Sequence, residues 1–227
     1  MHYGEVIEAT FVARPNRFIA VVQIGDRVES VHVKNTGRCR EILIPGTKVI
    51  LAHSDNPERK TRYDLIAAYK GDMLINIDTM APNKVFQEFI PVSGLFGDSP
   101  IVHPERKYGD SRFDFHIDMG GGREAFVEVK GVTLESGGIC RFPDAPTERG
   151  LKHVFGLMDA IDDGYEAYIA FIVQMEGARC VTPNYETHEQ FGEALKIALK
   201  RGVKVLVFDC KVTEDSLVVD HPLPFMF

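Results

Sequence analysis

The chain has 227 residues, with 26 Lys+Arg against 33 Asp+Glu and a formal net charge of −7. At 44% apolar and 26% charged residues its composition is that of an ordinary globular protein, which excludes a disordered, fibrous or collagenous chain. No apolar run reaches the roughly 20 residues of a membrane helix, and Met1-His2-Tyr3-Gly4-Glu5 lacks the basic and apolar regions of a signal peptide. A cytoplasmic protein with no membrane partner is expected. Cys39, Cys140, Cys180 and Cys210 form no C-x-x-C pair, so they read as reduced core thiols rather than a zinc or redox motif.

Short strands separated by turn residues fill the first part. Glu5–Phe11, Phe18–Ile24, Arg27–Val33, Thr47–His53 and Leu65–Tyr69 are the candidates, with turns at Gly25-Asp26, Pro45-Gly46 and Lys70-Gly71-Asp72. Five strands in about 75 residues predict a small barrel of OB type, a fold that binds single strands with a basic groove and stacking aromatics. Phe11, Phe18, Tyr63 and Tyr69 are candidates for stacking, with core packing the commoner use of such side chains. Charge supports a polyanion partner here. Residues 1–83 hold 11 basic and 10 acidic side chains, whereas residues 84–227 hold 15 and 23. The basic residues cluster as Arg14 and Arg17, as Lys34, Arg38 and Arg40, and as Arg59, Lys60 and Arg62, a local surface able to attract polyanions despite the acidic mean.

From Pro82 the pattern changes, and we divide the chain into domains at 1–83 and 84–227. Lys84–Ile90 has a short helical pattern stopped by Pro91. After an irregular stretch come strands Ser111–Met119 and Glu124–Val132, joined by Gly120-Gly121-Gly122. Thr147–Asp163 is a helix with an apolar stripe of Leu151, Val154, Phe155, Met158 and Ile161, ended by Gly164. A buried strand at Glu166–Met175, a helix at Tyr185–Arg201 and a second buried strand at Val203–Cys210 complete an α/β (α+β) pattern with a partly parallel sheet.

The glycine-linked pair of strands carries the chemistry. Alternation places Phe113, Phe115 and Ile117 on one face, and Arg112, Asp114, His116 and Asp118 on the other. A three-residue loop centred on Gly121 sets Asp114 opposite Glu128, His116 opposite Phe126 and Arg112 opposite Lys130, and the apolar faces match in that register. Two facing carboxylates repel unless a cation lies between them. Lys130, on the Glu128 face, can orient a water or offset charge on a phosphate. Asp114, Glu128 and Lys130 therefore suit metal-dependent phosphodiester hydrolysis, with Mg²⁺ (or Mn²⁺) as the expected ion.

Several segments resemble the sugar fermentation stimulation protein A (SfsA) family. They are Phe142-Pro-Asp-Ala-Pro-Thr-Glu-Arg-Gly-Leu-Lys-His153, Phe113–Phe115 with Val127-Glu-Val-Lys-Gly-Val-Thr133, Arg14-Pro-Asn-Arg-Phe18, Asn35-Thr-Gly-Arg38 and Asn56-Pro-Glu-Arg-Lys-Thr61. The resemblance implies an N-terminal OB-like domain followed by a restriction-endonuclease-like, PD-(D/E)XK-type domain, and a DNA-binding protein linked to sugar catabolism. It implies Asp114 and Glu128 as metal carboxylates, Lys130 as the motif lysine and Glu88 as an added helical acid. Phe113 stands where that nuclease motif often has proline. Arg149 and Lys152, at the N-terminal end of their helix beside the Asp144 loop, are expected phosphate contacts. His153 is expected to have a structural or positioning role rather than to bind metal. Three readings follow: a DNA-binding protein with a metal-dependent nuclease site, a non-catalytic DNA-binding regulator of sugar catabolism genes, and, with least support, a sugar-responsive metabolic protein. An exposed sheet edge in either domain would support a homodimer.

Overall fold

In the computed structural model, which describes residues 1–54, 56 and 58–227, the alternating segments of the first part become β1 (Val6–Ala13), β2 (Ile19–Ile24), β3 (Arg27–Val33), β4 (Lys48–His53) and β5 (Tyr63–Lys70). They pair in the order β3-β2-β1-β4-β5, and β3 also pairs in parallel with β5, which closes the barrel with OB connectivity. Phe11, Ala20, Val22, Val31, Val49, Leu51 and Leu65 fill its interior. Gly25, with φ +57, makes the two-residue β2–β3 turn that its sequence predicts. β6 (Met73–Asn76) follows the Gly71-Asp72 turn and pairs with β5; four residues are too few to display a period.

The second domain begins at α1 (Ala81–Phe89), so a division at residue 83 cuts this helix within its first turn. Six strands make its main sheet. These are β7 (Ile101–Tyr108), β8 (Ser111–Asp118), β9 (Glu124–Val132), β12 (Glu166–Val173), β14 (Lys204–Val212) and β15 (Leu217–Pro222), in the order β15-β14-β12-β9-β8-β7. β12 is parallel to both β9 and β14, which makes the sheet mixed. A small sheet joins β10 (Glu135–Ser136), β11 (Ile139–Phe142) and β13 (Cys180–Pro183). Val85 and Phe86 of α1 pack on one face of the main sheet with Phe115, Ile117, Val127 and Val129. The other face packs against α2 (Glu148–Asp162) and α3 (Tyr185–Lys200) through Val154, Leu157, Met158, Phe191 and Leu195. Among the described residues no helix is long and apolar enough to cross a membrane.

The stripe of α2 differs from its expected phase. His153, Val154, Leu157, Met158 and Ala160 are buried, whereas Phe155 is 48% exposed. The apolar stripe centres on Val154 and Leu157, and one residue of helix turns Phe155 by about 100° away from it. All four cysteines are buried and unbonded. Burial pushes the Cys39 and Cys140 thiols up to about 12, so they behave as core residues.

A buried polar cluster couples the two domains. Asp78 is fully buried; its carboxylate accepts from Tyr3 Oη at 3.1 Å and pairs with Lys34 Nζ at 3.1 Å. Gln174, just beyond β12, donates to Asn76 Oδ1 and to the Asp78 carbonyl, each at 3.0 Å. Removing one member of such a group leaves the others desolvated and unpaired. Asp78→Ala should therefore lower stability by about 3 kcal/mol in urea unfolding; a loss below about 1 kcal/mol would contradict this account of the junction.

Candidate functional site

The hairpin adopts the register set by its glycines. Met119 N donates to the Arg123 carbonyl at 2.9 Å across the Gly120–Gly122 loop, and Phe115↔Val127, His116↔Phe126, Ile117↔Ala125 and Asp118↔Glu124 face each other. The next step would set Asp114 opposite Glu128, and there the ladder opens. Asp114 Oδ2 instead accepts the Val129 N–H at 2.7 Å, while Oδ1 accepts from Asn83 Nδ2 of α1 at 2.7 Å. On the other flank β7 pairs Pro104 with Phe115 and Arg106 with Phe113, and the intervening Glu105 has φ +56. Asp114 thus stands at an irregularity shared by both neighbouring strands.

This irregularity overturns the simple alternation. Phe113 does not share the face of Phe115 and Ile117. Its ring lies 5.4 Å from Phe126 and 6.0 Å from His153 on the α2 side, whereas Phe115 lies 6.0 Å from Phe86 on the α1 side. Replacing a ladder hydrogen bond by a side-chain carboxylate lets the strand rotate at Asp114. Gly156 makes room for this, since a Cβ there would meet Phe113 Cζ and Ser111 Oγ at 3.1 Å. Arg112, expected opposite Lys130, instead pairs with Glu105 at 2.8 Å.

Glu128 is buried, 3% exposed. Its Oε1 accepts from Lys130 Nζ at 2.5 Å and pairs with His153 Nδ1, while its Oε2 is buried without a partner. Burial alone would push the Glu128 carboxyl up, but the His153 hydrogen bond and the Lys130 charge hold it below the usual carboxylate range. Asp114 moves the other way: burial and then the Glu128 charge raise it above the usual range, with the Val129 and Asn83 hydrogen bonds opposing. Asp114 therefore feels the charge of Glu128. An orphaned carboxylate oxygen beside a second, repelled carboxylate suits a hard divalent cation that takes oxygen ligands and retains water for its remaining positions.

Glu88 does not join this centre. Its exposed carboxylate pairs at 2.7 Å with the Met1 amino group, which also donates to the Leu217 carbonyl at the β15 edge. Asn83 and Glu88 are five residues apart, which turns them about 140° from each other around the helix, and Asn83 is the α1 residue that reaches Asp114. His153 does touch the centre, through Glu128. His116 pairs with Glu124 and stacks on His103, away from the proposed ligands.

The expected phosphate contacts separate into two kinds. Arg14 donates to the carbonyls of Gly37, Arg38, Arg17 and Asn35, so its guanidinium organises the loops. Lys34 is held by Asp78, and Arg59 forms a two-pronged pair with Asp64 at 3.0 and 2.6 Å. These three are structural cations, because backbone carbonyls take up the donors of Arg14 and buried or half-buried acids take up those of Lys34 and Arg59. Arg17 lies 4.7 Å over the Phe18 ring and Arg62 lies 5.6 Å over Tyr63. Arg17, Arg38, Arg40, Lys60, Arg149 and Lys152 are exposed and have no acidic partner among the described residues. Of the four barrel aromatics, Phe11 and Tyr63 are buried, Tyr69 Oη donates to Glu214, and Phe18 is 44% exposed. Asp209, Asp220 and His221 form a separate compact group, with ligand atoms within 4.8 Å of one another. Sequence spacing did not reveal it, since two different strands supply its members.

Two family models match the chain: the SfsA N-terminal OB domain over residues 12–77 and the sugar fermentation stimulation protein RE domain over residues 80–216. A sugar fermentation stimulation protein homolog of Desulfitobacterium hafniense is 52% identical over 217 residues, covering 96% of this chain and 94% of that protein. The homolog of Clostridium beijerinckii is 49% identical over 217 residues, covering 96% of both chains. Among solved structures, Pyrococcus furiosus SfsA in complex with Ca²⁺ matches with a TM-score of 0.89 at 28% identity, covering 100% of this chain and 98% of that one. The two family matches, in this order and over most of the sequence, establish that the chain belongs to the sugar fermentation stimulation protein (SfsA) family.

Proposed function

We propose that this protein binds DNA in the cytoplasm and hydrolyses its phosphodiester backbone with a divalent cation, Mg²⁺ or Mn²⁺, held by Asp114 and Glu128. The observation that carries this reading is the buried, unpartnered Oε2 of Glu128 at the fork where Asp114 opens the β8–β9 ladder. An acid, a stretch of hairpin and then Glu-x-Lys is the pattern of the PD-(D/E)XK nucleases. That a relative of the same fold has been seen with Ca²⁺, also an oxygen-seeking ion, agrees with it.

When bound, such a cation supplies Lewis-acid stabilisation to a phosphoryl oxygen. The residues around it provide the rest. Asn83 and the Val129 N–H fix the Asp114 carboxylate, and His153 fixes one oxygen of Glu128 so that the other turns inward. Lys130, already on Glu128, is placed to orient the attacking water and to offset negative charge growing on the phosphate. Arg149 and Lys152, exposed on the first turns of α2, hold the neighbouring phosphate. The unpaired barrel cations Arg38, Arg40 and Lys60 supply sequence-independent attraction to the backbone.

Incubation of the purified protein with labelled DNA and Mg²⁺ or Mn²⁺ tests the proposal. Cleavage should need the cation and fall about 100-fold or more in Lys130→Ala. Asp114→Ala should abolish Mn²⁺ binding in calorimetry. Cleavage that survives both substitutions would remove these residues from the mechanism, and salt-sensitive binding without any cleavage would favour the non-catalytic regulator.

The ion must bind ionised carboxylates, so the raised Asp114 carboxyl sets the acid limit. Protonation of Asp114 competes with the cation, and affinity is lost as pH falls through a midpoint above the ordinary aspartate value. Asn83 donates to the ionised form; Asn83→Ala should therefore raise the midpoint further, measured as Mn²⁺ affinity against pH. An unchanged or lower midpoint would contradict the assignment of Asn83 as a positioning residue.

A further inference from the structure

Three depressions along the domain junction run into one another. The first, about 270 Å³, lies between the β1–β2 loop, with Arg17, and the β3–β4 connection, with Arg38 and Arg40. The second, about 320 Å³, shares Arg38 and Arg40 and crosses to Leu134 and the Asp144–Pro146 loop of the second domain. The third, about 380 Å³, shares that loop and Leu134, and continues past Arg141 to Thr147 and Gly131. Gly131 follows Lys130, and Thr147 caps α2, the helix that carries His153. A continuous trough thus leads from a barrel loop to Gly131, the residue next to Lys130 in β9, and to the N-terminal end of α2.

Along its length unpaired cations outnumber acids. Arg17, Arg38 and Arg40 are exposed and Arg141 is half-buried, and none has an ion-pair partner among the described residues. Glu41 and Asp144 are the acids on its wall. Phe18, exposed beneath Arg17 just outside the wall at the barrel end, offers a face on which a base can stack. Each section of the trough has a volume at the lower end of small-ligand pockets, suited to one nucleotide at a time.

We propose that this trough takes a single strand of nucleic acid and passes its phosphates from Arg17 by way of Arg38 and Arg40 to Arg141, delivering the strand to the metal centre. Arg141 is the phosphate contact that reading the sequence did not single out. The destination rests on the phosphodiesterase reading above; the preference for a single strand follows from the trough alone.

Fluorescence anisotropy in EDTA, with a labelled 16-nucleotide single strand and a blunt duplex of the same sequence, tests it without cleavage. The single strand should bind at least tenfold more tightly than the duplex. The double variant Arg38→Ala/Arg141→Ala should lose at least tenfold in single-strand affinity, and its slope of log affinity against log salt should flatten by about 1.4, from about 0.7 per lost phosphate contact. Arg38→Lys/Arg141→Lys should keep the slope, which separates lost charge from damaged folding. Duplex binding as tight as single-strand binding, or an unchanged slope in the alanine variant, overturns the proposal. If that happens while cation-dependent cleavage persists, the trough alone fails. Single-strand preference in a protein that cleaves nothing supports the trough and removes the phosphodiesterase.

Discussion

A carboxylate largely removed from water cannot be left without donors, and the half-buried Asp114 obtains them by displacing backbone. It takes the N–H of Val129 and reaches to Asn83 on α1, and the β8–β9 ladder ends at Phe115↔Val127 because of it. Much of the site follows from that substitution. The strand rotates, so Phe113 packs under α2 while Phe115 packs under α1, and each side of the sheet gains a large aromatic anchor. Opening the ladder also leaves Glu128 facing inward, where His153 and Lys130 claim one oxygen and leave the other unpartnered. The pair is held in electrostatic conflict. Asp114 is pushed toward its neutral form by burial and by Glu128, while the His153 hydrogen bond and the Lys130 charge favour the ionised form of Glu128. Such opposed environments are costly in a purely structural cluster and useful in one that recruits a cation.

The junction between the domains gives this centre a fixed relation to the barrel. Gly131 sits where a Cβ would meet Gln174 Oε1 at 2.5 Å and Pro82 Cγ at 2.7 Å, so the chain just after Lys130 is pressed against both α1 and the residue that bonds to Asn76 and Asp78. The strand that carries the acid and the amine is thereby tied to the buried cluster that holds the two domains together. Lys34 and Arg59 are consumed by that framework and its neighbouring Asp64, while the unpaired Arg38 and Arg40 line the cleft between the domains. Charge type alone did not separate the two kinds of cation: Asp78 lies far from Lys34 in sequence, and Asp64, though near Arg59 along the chain, carries no local sign that it will take that guanidinium.

What was legible in the sequence follows the same logic. Strands β1 to β5, β8, β9, β12 and β14 could be read because one or both faces are buried and the hydrophobic period records it. The hairpin register was readable because apolar residues on both strands agree with a three-glycine loop. β7 and β15 were missed because edge strands leave most side chains in solvent, as in Ile101–Tyr108, where Pro104 and four charged or histidine side chains hide any alternation. The rotation at Asp114 left no trace in the apolar pattern, because Phe113 is buried on either face. Asn83 is a polar residue in the first turn of a short helix and carries no local sign that an acid on a distant strand will accept from it. The Glu88 expectation came from resemblance rather than from spacing, and the helix geometry turned it toward the Met1 amino group.

The most direct measurement is anomalous diffraction from a crystal soaked in Mn²⁺. This account predicts one peak within about 2.3 Å of both an Asp114 oxygen and Glu128 Oε2, with waters completing the coordination. A peak confined to the Asp209, Asp220 and His221 group, or no peak with Lys130 still on Glu128, would contradict it.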